Sequence, residues 1–530
     1  MKRADYYWVA LFGVLCVGFY LLVEYTINGA IFSGFPLDDS WIHAQFAHNL
    51  AAGNGLSYSG TEQTPGETSP LWAVLIAIVF KIFGEPHPVL EIRCASIAAY
   101  LLAGMMTSSA VYKATRSRLY GILAGISVLS TADMIWTSSA GMETALCALI
   151  TIAAFWSYLC DEKHLSMRTG ALFGLASLAR PEITLLYAFA LFDVVESKQP
   201  LDNFPRWIVK SFSMLVAQWR TILAFFLLAS PYMVFCLLTT RQLFPNTYYS
   251  KDGGVHLSYI THFYFTLFSA NPVLFILACV GVYTAARNSK IHRKKLFIAF
   301  FVIFPFICSF ASAYIQFRRY FTFFLPILLP SAMVGMGAIY ERIAHTNLKR
   351  IYVAVTIAAI FGFSVISNAF GIYPLNYADG KAWSGAEYTA WSIHNINEQQ
   401  ASIGRWIDAT LPPQTTVAVN DVGAIGYLSH RRLVDLCGLV SNDVTRFFKK
   451  YKNATIVKKH LLEYLKLERK PDYVIIYETW YPGWSSQLPV VDSFNVIAKN
   501  NVICGWDTMT VLKMDWSRPQ IPDSIAKSGY

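Results

Sequence analysis

Two adjacent carboxylates, Asp38 and Asp39, stand in the run Pro36-Leu37-Asp38-Asp39-Ser40-Trp41-Ile42-His43. A carboxylate set against a hydroxyl takes its proton as the oxygen attacks an electrophile, which is general-base catalysis. The same side chains could instead cap a helix, but one cap needs only one of them. His43 falls one turn after Asp39 and either shares that site or lies on the surface. Glu143 is a second acid or a polar helix start. Arg180 and Glu182 flank Pro181, where they pair with each other or serve a site. Arg318 and Arg319 have the geometry to hold a phosphate, or they anchor an interface by snorkelling. Asn246, Tyr248, Tyr249 and Lys251 cluster in one short run, the tyrosines also suiting an interfacial aromatic belt. Asp421 sits apart, in a polar tail.

The elements that must position these residues are set by composition. The 530 residues are 55% hydrophobic and 14% charged, against roughly 25% charged in an ordinary soluble domain. With a mean hydropathy of +0.40, the chain is a membrane protein and not a disordered or nucleic-acid-binding one. The net charge of +10 resides mainly in short loops between apolar runs, where it reports topology. Seven of the nine cysteines fall in or beside apolar runs, and no Cys/His cluster suggests a metal or cofactor. Cys437 and Cys504, in the tail, could form a disulfide if that tail is exported.

Residues 7–27 are long enough to span and follow Lys2 and Arg3, which places the N-terminus in the cytoplasm. Residues 71–83 are too short to span, and laying them in the outer interface keeps Lys113, Arg116 and Arg118 inside. Further spans are expected at 93–112, 119–138, 141–160, 221–240, 271–286, 296–314, 320–341 and 351–370. A hairpin of two short helices is expected over 169–195, broken at Arg180-Pro181-Glu182. The fold expected is thus a polytopic α-helical membrane domain over 1–370 with about eleven membrane helices, including an outer loop, 29–92. A linker, 371–394, leads to an extracytoplasmic α/β domain, 395–530. There 398–409 reads as a helix, 415–419 and 472–477 as buried strands, and 502–514 as a final strand pair. On this topology the acids, amides and arginines gather at one outer water–lipid interface. Asp38-Asp39 opens an amphipathic helix carrying Ile42, Phe46 and Leu50 on one face, and Ser69-Pro70 starts a second helix, so the two form a shelf.

The run from Pro36 to Leu50, with Gly53-Asn54-Gly55-Leu56 and Thr68-Ser69-Pro70-Leu71-Trp72, resembles the first outer loop of the GT-C glycosyltransferases. Gly141-Met142-Glu143-Thr144, Leu178-Ala179-Arg180-Pro181-Glu182 and Pro245-Asn246-Thr247-Tyr248-Tyr249 with Lys251 resemble the branch containing mycobacterial terminal arabinofuranosyltransferases. So do the segment from Asp421 to Tyr427 and Asp435-Leu436-Cys437-Gly438-Leu439. The match covers nearly the whole chain in order. The resemblance implies transfer of a sugar from a polyprenyl phosphate to a cell-envelope glycan or glycolipid acceptor, outside the cytoplasmic membrane. It also implies a first-loop acid as catalytic base, here Asp38 or Asp39.

The chemistry agrees. A sugar hydroxyl needs a base, a phosphate leaving group needs cations more than an acid, and one displacement inverts the anomeric centre. The alternative is a transporter or flippase of lipid-linked sugars, for which a broken helix is equally suited, although the sequence shows no repeated halves. A non-catalytic assembly or adhesion role leaves the acid pair without a purpose.

Overall fold

The computed structural model describes residues 1–161, 164–196, 215–250, 258–270, 272–287, 322–343, 347–370, 376–378, 381–451 and 453–517. Lys251, Arg318, Arg319 and the expected span 296–314 lie outside these residues.

Helix α1 (Arg3–Asn28) leaves Leu11, Leu15 and Leu22 exposed along its length, a surface that suits hydrocarbon. Two shorter helices follow, α2 (Asp39–Ala51) and α3 (Pro70–Phe83), then α4 (Pro88–Thr115). Among the described residues α1, α4 and the helix Trp219–Thr240 are long and apolar enough to cross a bilayer. α3 has 14 residues and buries Ile76 and Phe80 while exposing Ile78 and Ile82, a two-sided pattern that suits an interface.

The expected span 119–138 is not one helix. α5 (Arg118–Ser130) and α6 (Ala132–Ala140) meet at Thr131 with a 60° bend. The hydroxyls of Ser130 and Thr131 both donate to the Ser127 carbonyl at 2.9 Å, competing with the backbone ladder where the helix turns. Next come α7 (Thr144–Cys160), α8 (Met167–Ala179) and α9 (Ile183–Glu196), with the α8–α9 break at Arg180-Pro181-Glu182. The helices Pro272–Arg287, Leu325–Ile343 and Asn347–Ala369 fall where spans were expected.

One buried ion pair bolts the end of this bundle that carries the loop after α1. Arg93 of α4 donates Nη1 to Glu24 Oε1 at 2.9 Å and Nη2 to Oε2 at 2.7 Å. Glu24 also accepts the Ser33 N–H at 2.9 Å, and Arg93 reaches Ser139 of α6 at 3.3 Å. The first outer loop is thereby tied to three helices.

After a short antiparallel hairpin, β1 (Asn376–Ala378) with β2 (Lys381–Trp383), the C-terminal unit, here the outer domain of the expected topology, begins with the helix Gly385–Ile396. Ser384 caps it, with Glu387 closing a capping box, so helix starts within the stretch read from sequence as linker. It continues through a π-helical turn, Asn397–Ala401, into Ser402–Thr410. A five-stranded sheet follows, built from β3 (Thr416–Val419), β4 (Arg432–Asp435), β5 (Tyr473–Ile476), β6 (Val490–Ile497) and β7 (Thr508–Met514), in the order β4-β3-β5-β7-β6. β4, β3 and β5 run parallel, and β7 and β6 close the sheet antiparallel. The final pair is therefore 490–497 with 508–514, not two strands within 502–514. Val417, Ala418 and Val419 are fully buried, as a strand covered on both faces requires. One covering layer is the membrane domain's own shelf, since Ile42, Phe46 and Tyr58 join the core of Ile403, Val419 and Ile425.

Arg93→Ala should destabilise the protein by about 3–5 kcal/mol, because it strands the Glu24 charge in a buried site. The double variant Glu24→Leu with Arg93→Met should recover most of that loss, as read by thermal unfolding in detergent.

Candidate active site

The two adjacent acids enter different surroundings. Asp38 precedes α2 but makes no capping bond to it. Its carboxylate instead accepts the backbone N–H of Gly423 at 2.7 Å and of Ala424 at 2.8 Å, at the start of the helix Gly423–Ser429. A carboxylate is favoured at that end by the exposed N–H groups and the helix dipole. The approach is so close that a Cβ on residue 423 would lie 1.9 Å from the Asp38 carbonyl oxygen, so only glycine fits. Gly426 is constrained likewise, its absent Cβ leaving room for the Tyr58 hydroxyl, which donates to the Val422 carbonyl at 2.6 Å. The Asp421–Tyr427 motif is thus the surface by which the outer domain seats on the shelf.

Asp39 faces a cavity of ≈ 320 Å³. Its floor is formed at the carboxyl ends of the three parallel strands, by Asn420 and Asp421 after β3, Leu436 and Cys437 after β4, and Trp480 and Tyr481 after β5. Open parallel sheets generally bind ligands in this crevice. Ser250, from the short helix Asn246–Ser250, closes one side.

Asp421 is held from behind. The Gln400 amide donates to its Oδ2 at 2.9 Å and the Tyr477 hydroxyl at 2.8 Å. The π-helical turn makes this possible, since it turns both Gln399 and Gln400 into the core, Gln399 donating to the Asp507 carbonyl at 2.9 Å. Burial pushes the Asp421 carboxyl up from its ordinary range, the hydrogen bonds of Gln400 and Tyr477 oppose this, and the charge of Asp39 adds to the rise. Asp38 is also driven up, by burial first and then by the charge of Asp421, against the pull of its two amide donors. Asp435 organises the neighbouring wall. Its carboxylate accepts the N–H of Cys437, Leu439 and Val440 at 2.8, 2.5 and 2.8 Å, while burial lifts its pKa to about 6. Cys437 and Cys504 are both free thiols, donating to the Asn420 carbonyl at 3.2 Å and to Gln400 Oε1 at 3.5 Å, so the conceivable disulfide is not formed.

His43, Glu143 and Arg180 do come together, but as a buried network beneath the shelf. His43 Nδ1 lies 2.8 Å from Glu67 Oε1 and its Nε2 3.3 Å from Glu143 Oε2. Arg180 bonds Glu143 across the helix break and lies 3.5 Å from Glu182. His43 is only 4% exposed, which removes the surface reading. Burial alone would lower its pKa, yet the charges and hydrogen bonds of Glu67 and Glu143 raise it to about 10.

Asn246 is also buried. Its amide donates to Asn442 Oδ1 at 2.9 Å and Thr64 Oγ1 at 3.3 Å, joining the first outer loop to the outer domain. Tyr248 is about half exposed against Phe244, while Tyr249 receives Lys449 over its ring at 5.2 Å. Sequence reasoning missed Glu67, Gln400, Tyr477, Asn420 and Trp480. Their partners lie far along the chain, and nothing in their local spacing marks them.

Three comparisons bear on this arrangement. Residues 393–514 match a family model described as a domain of unknown function, DUF8728. No curated protein is similar to the chain in sequence. Among solved structures, ArnT from Cupriavidus metallidurans bound to undecaprenyl phosphate superposes with a TM-score of 0.60 at 12% identity, over 97% of this chain and 99% of that one. The archaeal oligosaccharyltransferase AglB from Archaeoglobus fulgidus, in complex with an inhibitory peptide and a dolichol-phosphate, gives 0.57 at 11% identity, over 98% and 75%. At these identities the likeness establishes a shared fold.

The network around His43 sets a pH dependence. A histidine raised to about 10 contributes stability that is full below its unfolded value, near 6.5, and is lost as pH climbs through about 10. The thermal midpoint of the wild type should therefore fall between pH 7 and 10, and His43→Gln should flatten that slope while lowering the midpoint at pH 7.

Proposed function

From the GT-C fold that this chain shares with ArnT and AglB, we propose that it is a membrane glycosyltransferase. It moves a sugar from a polyprenyl-phosphate donor to a glycan or glycolipid acceptor of the cell envelope, on the outer face of the cytoplasmic membrane. The observation that carries this reading is the position of Asp39. It is a carboxylate on a shelf helix beside the membrane bundle, lining the one wall of a strand-end cavity that the first outer loop supplies. The resemblance of the ordered motifs to the arabinofuranosyltransferase branch supports a reading on that side of the fold.

Asp39 is the general base. It takes the proton of the acceptor hydroxyl as that oxygen bonds to the anomeric carbon, while the bond from that carbon to the phosphate oxygen breaks. The polyprenyl phosphate leaves with the bonding pair, and a single displacement inverts the centre. The leaving group needs positive charge rather than a proton, and Lys251, Arg318 and Arg319 are the cations assigned to it. Asp38 acts by holding the outer domain in place over Asp39, not by touching substrate.

Asp39→Asn keeps the shape of the side chain and removes its basicity, so turnover should fall about 10²–10⁴-fold. Donor binding and thermal stability should stay near wild type. Asp38→Asn turns an amide N–H toward a backbone N–H and should lower stability first. The assay is transfer from a synthetic short-chain lipid-phosphate sugar, with donor binding measured separately. Near-normal turnover in Asp39→Asn refutes the assignment.

A further inference from the structure

The cavity beside Asp39 has a chemistry of its own. We propose that it is the acceptor subsite and that it receives a neutral sugar ring, stacked on Trp480, with one hydroxyl turned toward Asp39. This rests on the glycosyl-transfer reading above and names the substrate class of that site.

A general base touches the nucleophile, so the space that Asp39 lines belongs to the acceptor and not to the lipid tail of the donor. Among the described residues, the walls other than Asp39 and Ser250 come from the C-terminal domain, which makes that domain the reader of the acceptor. The lining is mainly apolar and aromatic, with Phe448, Leu461, Trp480 and Tyr481 among its members. Sugar rings present C–H faces that pack on such surfaces while their hydroxyls point sideways. Trp480 is partly exposed and braced from behind by Tyr477, their ring centroids 5.1 Å apart, so it offers a fixed platform.

The polar groups fit the same ligand. Asn420 is 3% exposed, and its Oδ1 accepts the Tyr477 N–H at 3.1 Å. Its Nδ2 makes no close hydrogen bond, although the side chain does interact with the neighbouring Asp421 carboxyl. An amide NH2 carries two donors, and a hydroxyl or ring oxygen of a bound sugar would complete the bonding of this buried group. Asp39 and Asp421 supply acceptors for sugar O–H donors. Two carboxyls against a single lysine, Lys458, among the described lining residues leave the cavity net acidic, which disfavours a carboxylate or phosphate and suits a neutral ring.

The test needs no donor. Full-length protein in detergent micelles is titrated with methyl glycosides of arabinofuranose, mannose and galactose, and with methyl glucuronide. Binding is followed by saturation-transfer NMR. At least one neutral glycoside should bind, with transfer concentrated on one C–H face of the ring, and the glucuronide should not. Trp480→Leu, which keeps apolar volume but loses the platform, should weaken binding about 10-fold. Trp480→Phe should stay within about 3-fold of wild type. Asn420→Leu should weaken it by about 5–10-fold through loss of the amide donor. Thermal unfolding confirms that each variant is folded. Failure of every neutral glycoside to bind, preference for the glucuronide, or unchanged affinity in folded Trp480→Leu overturns the proposal. Because sugar binding is read without transfer, a cavity that binds sugar in a protein with no transferase activity would refute the function and leave the subsite standing. Transfer with no effect of these variants on the acceptor KM would do the reverse.

Discussion

The contact between the Asp38 carboxylate and two backbone N–H groups, 385 and 386 residues further along the chain, is the constraint from which the site follows. It is short enough to demand glycine at 423, and the Tyr58 hydroxyl beside it leaves no room for a side chain at 426. These contacts join a membrane bundle to a soluble-type α/β unit, together with side-chain bonds such as those of Asn442 to Thr64 and Asn246. Apolar packing reinforces them, because Ile42 and Phe46 of α2 finish the core on one face of the sheet. Once Asp38 is fixed, the next residue has little freedom. Successive side chains on a helix diverge by about 100°, so Asp39 is turned away from the docking turn and toward the strand ends.

Buried charge holds the platform rigid beneath this joint. Glu24 and Arg93 lock α1, α4 and α6, while Glu67, His43, Glu143 and Arg180 link the outer loop to α2, the start of α7 and the break between α8 and α9. Such charges are expensive to bury singly, and each is offset by an opposite partner at hydrogen-bond distance. The Arg180-Pro181 break is therefore filled by an ion pair and by the Phe323 ring, 5.6 Å from the guanidinium. That arrangement suits a fixed scaffold better than a substrate path.

The C-terminal α/β domain adds a third layer of control. Its π-helical turn inserts one extra residue per turn just where Gln399 and Gln400 must both face inward, and Gln400 with Tyr477 then sets the direction of Asp421. Asp435 gathers the loop after β4 around its carboxylate and so shapes the adjacent wall. Asp435 is committed to backbone partners and acts as architecture, while Asp421, held at its Oδ2, lines the cavity itself.

Much of this was legible in the sequence, and the reason is local. The first apolar span, the helix break at Arg180-Pro181, the helix start at Ser69-Pro70 and the β-branched strand 416–419 depend on hydropathy and backbone chemistry within a few residues, although Ser69 makes no side-chain capping bond. The acid pair was visible for the same reason. The bend at Thr131 was not, because it arises from hydroxyl groups competing for one carbonyl, and neither was the helix start at Ser384, whose capping box lies outside any strongly apolar run. What only the tertiary structure decided is the difference in surroundings between Asp38 and Asp39, and the grouping of Asn420, Asp421 and Trp480 around the second of them. Two neighbouring carboxylates are identical in composition and spacing. Their difference lies in which distant N–H groups and which cavity each one meets, and that is set by packing across more than 380 residues of chain.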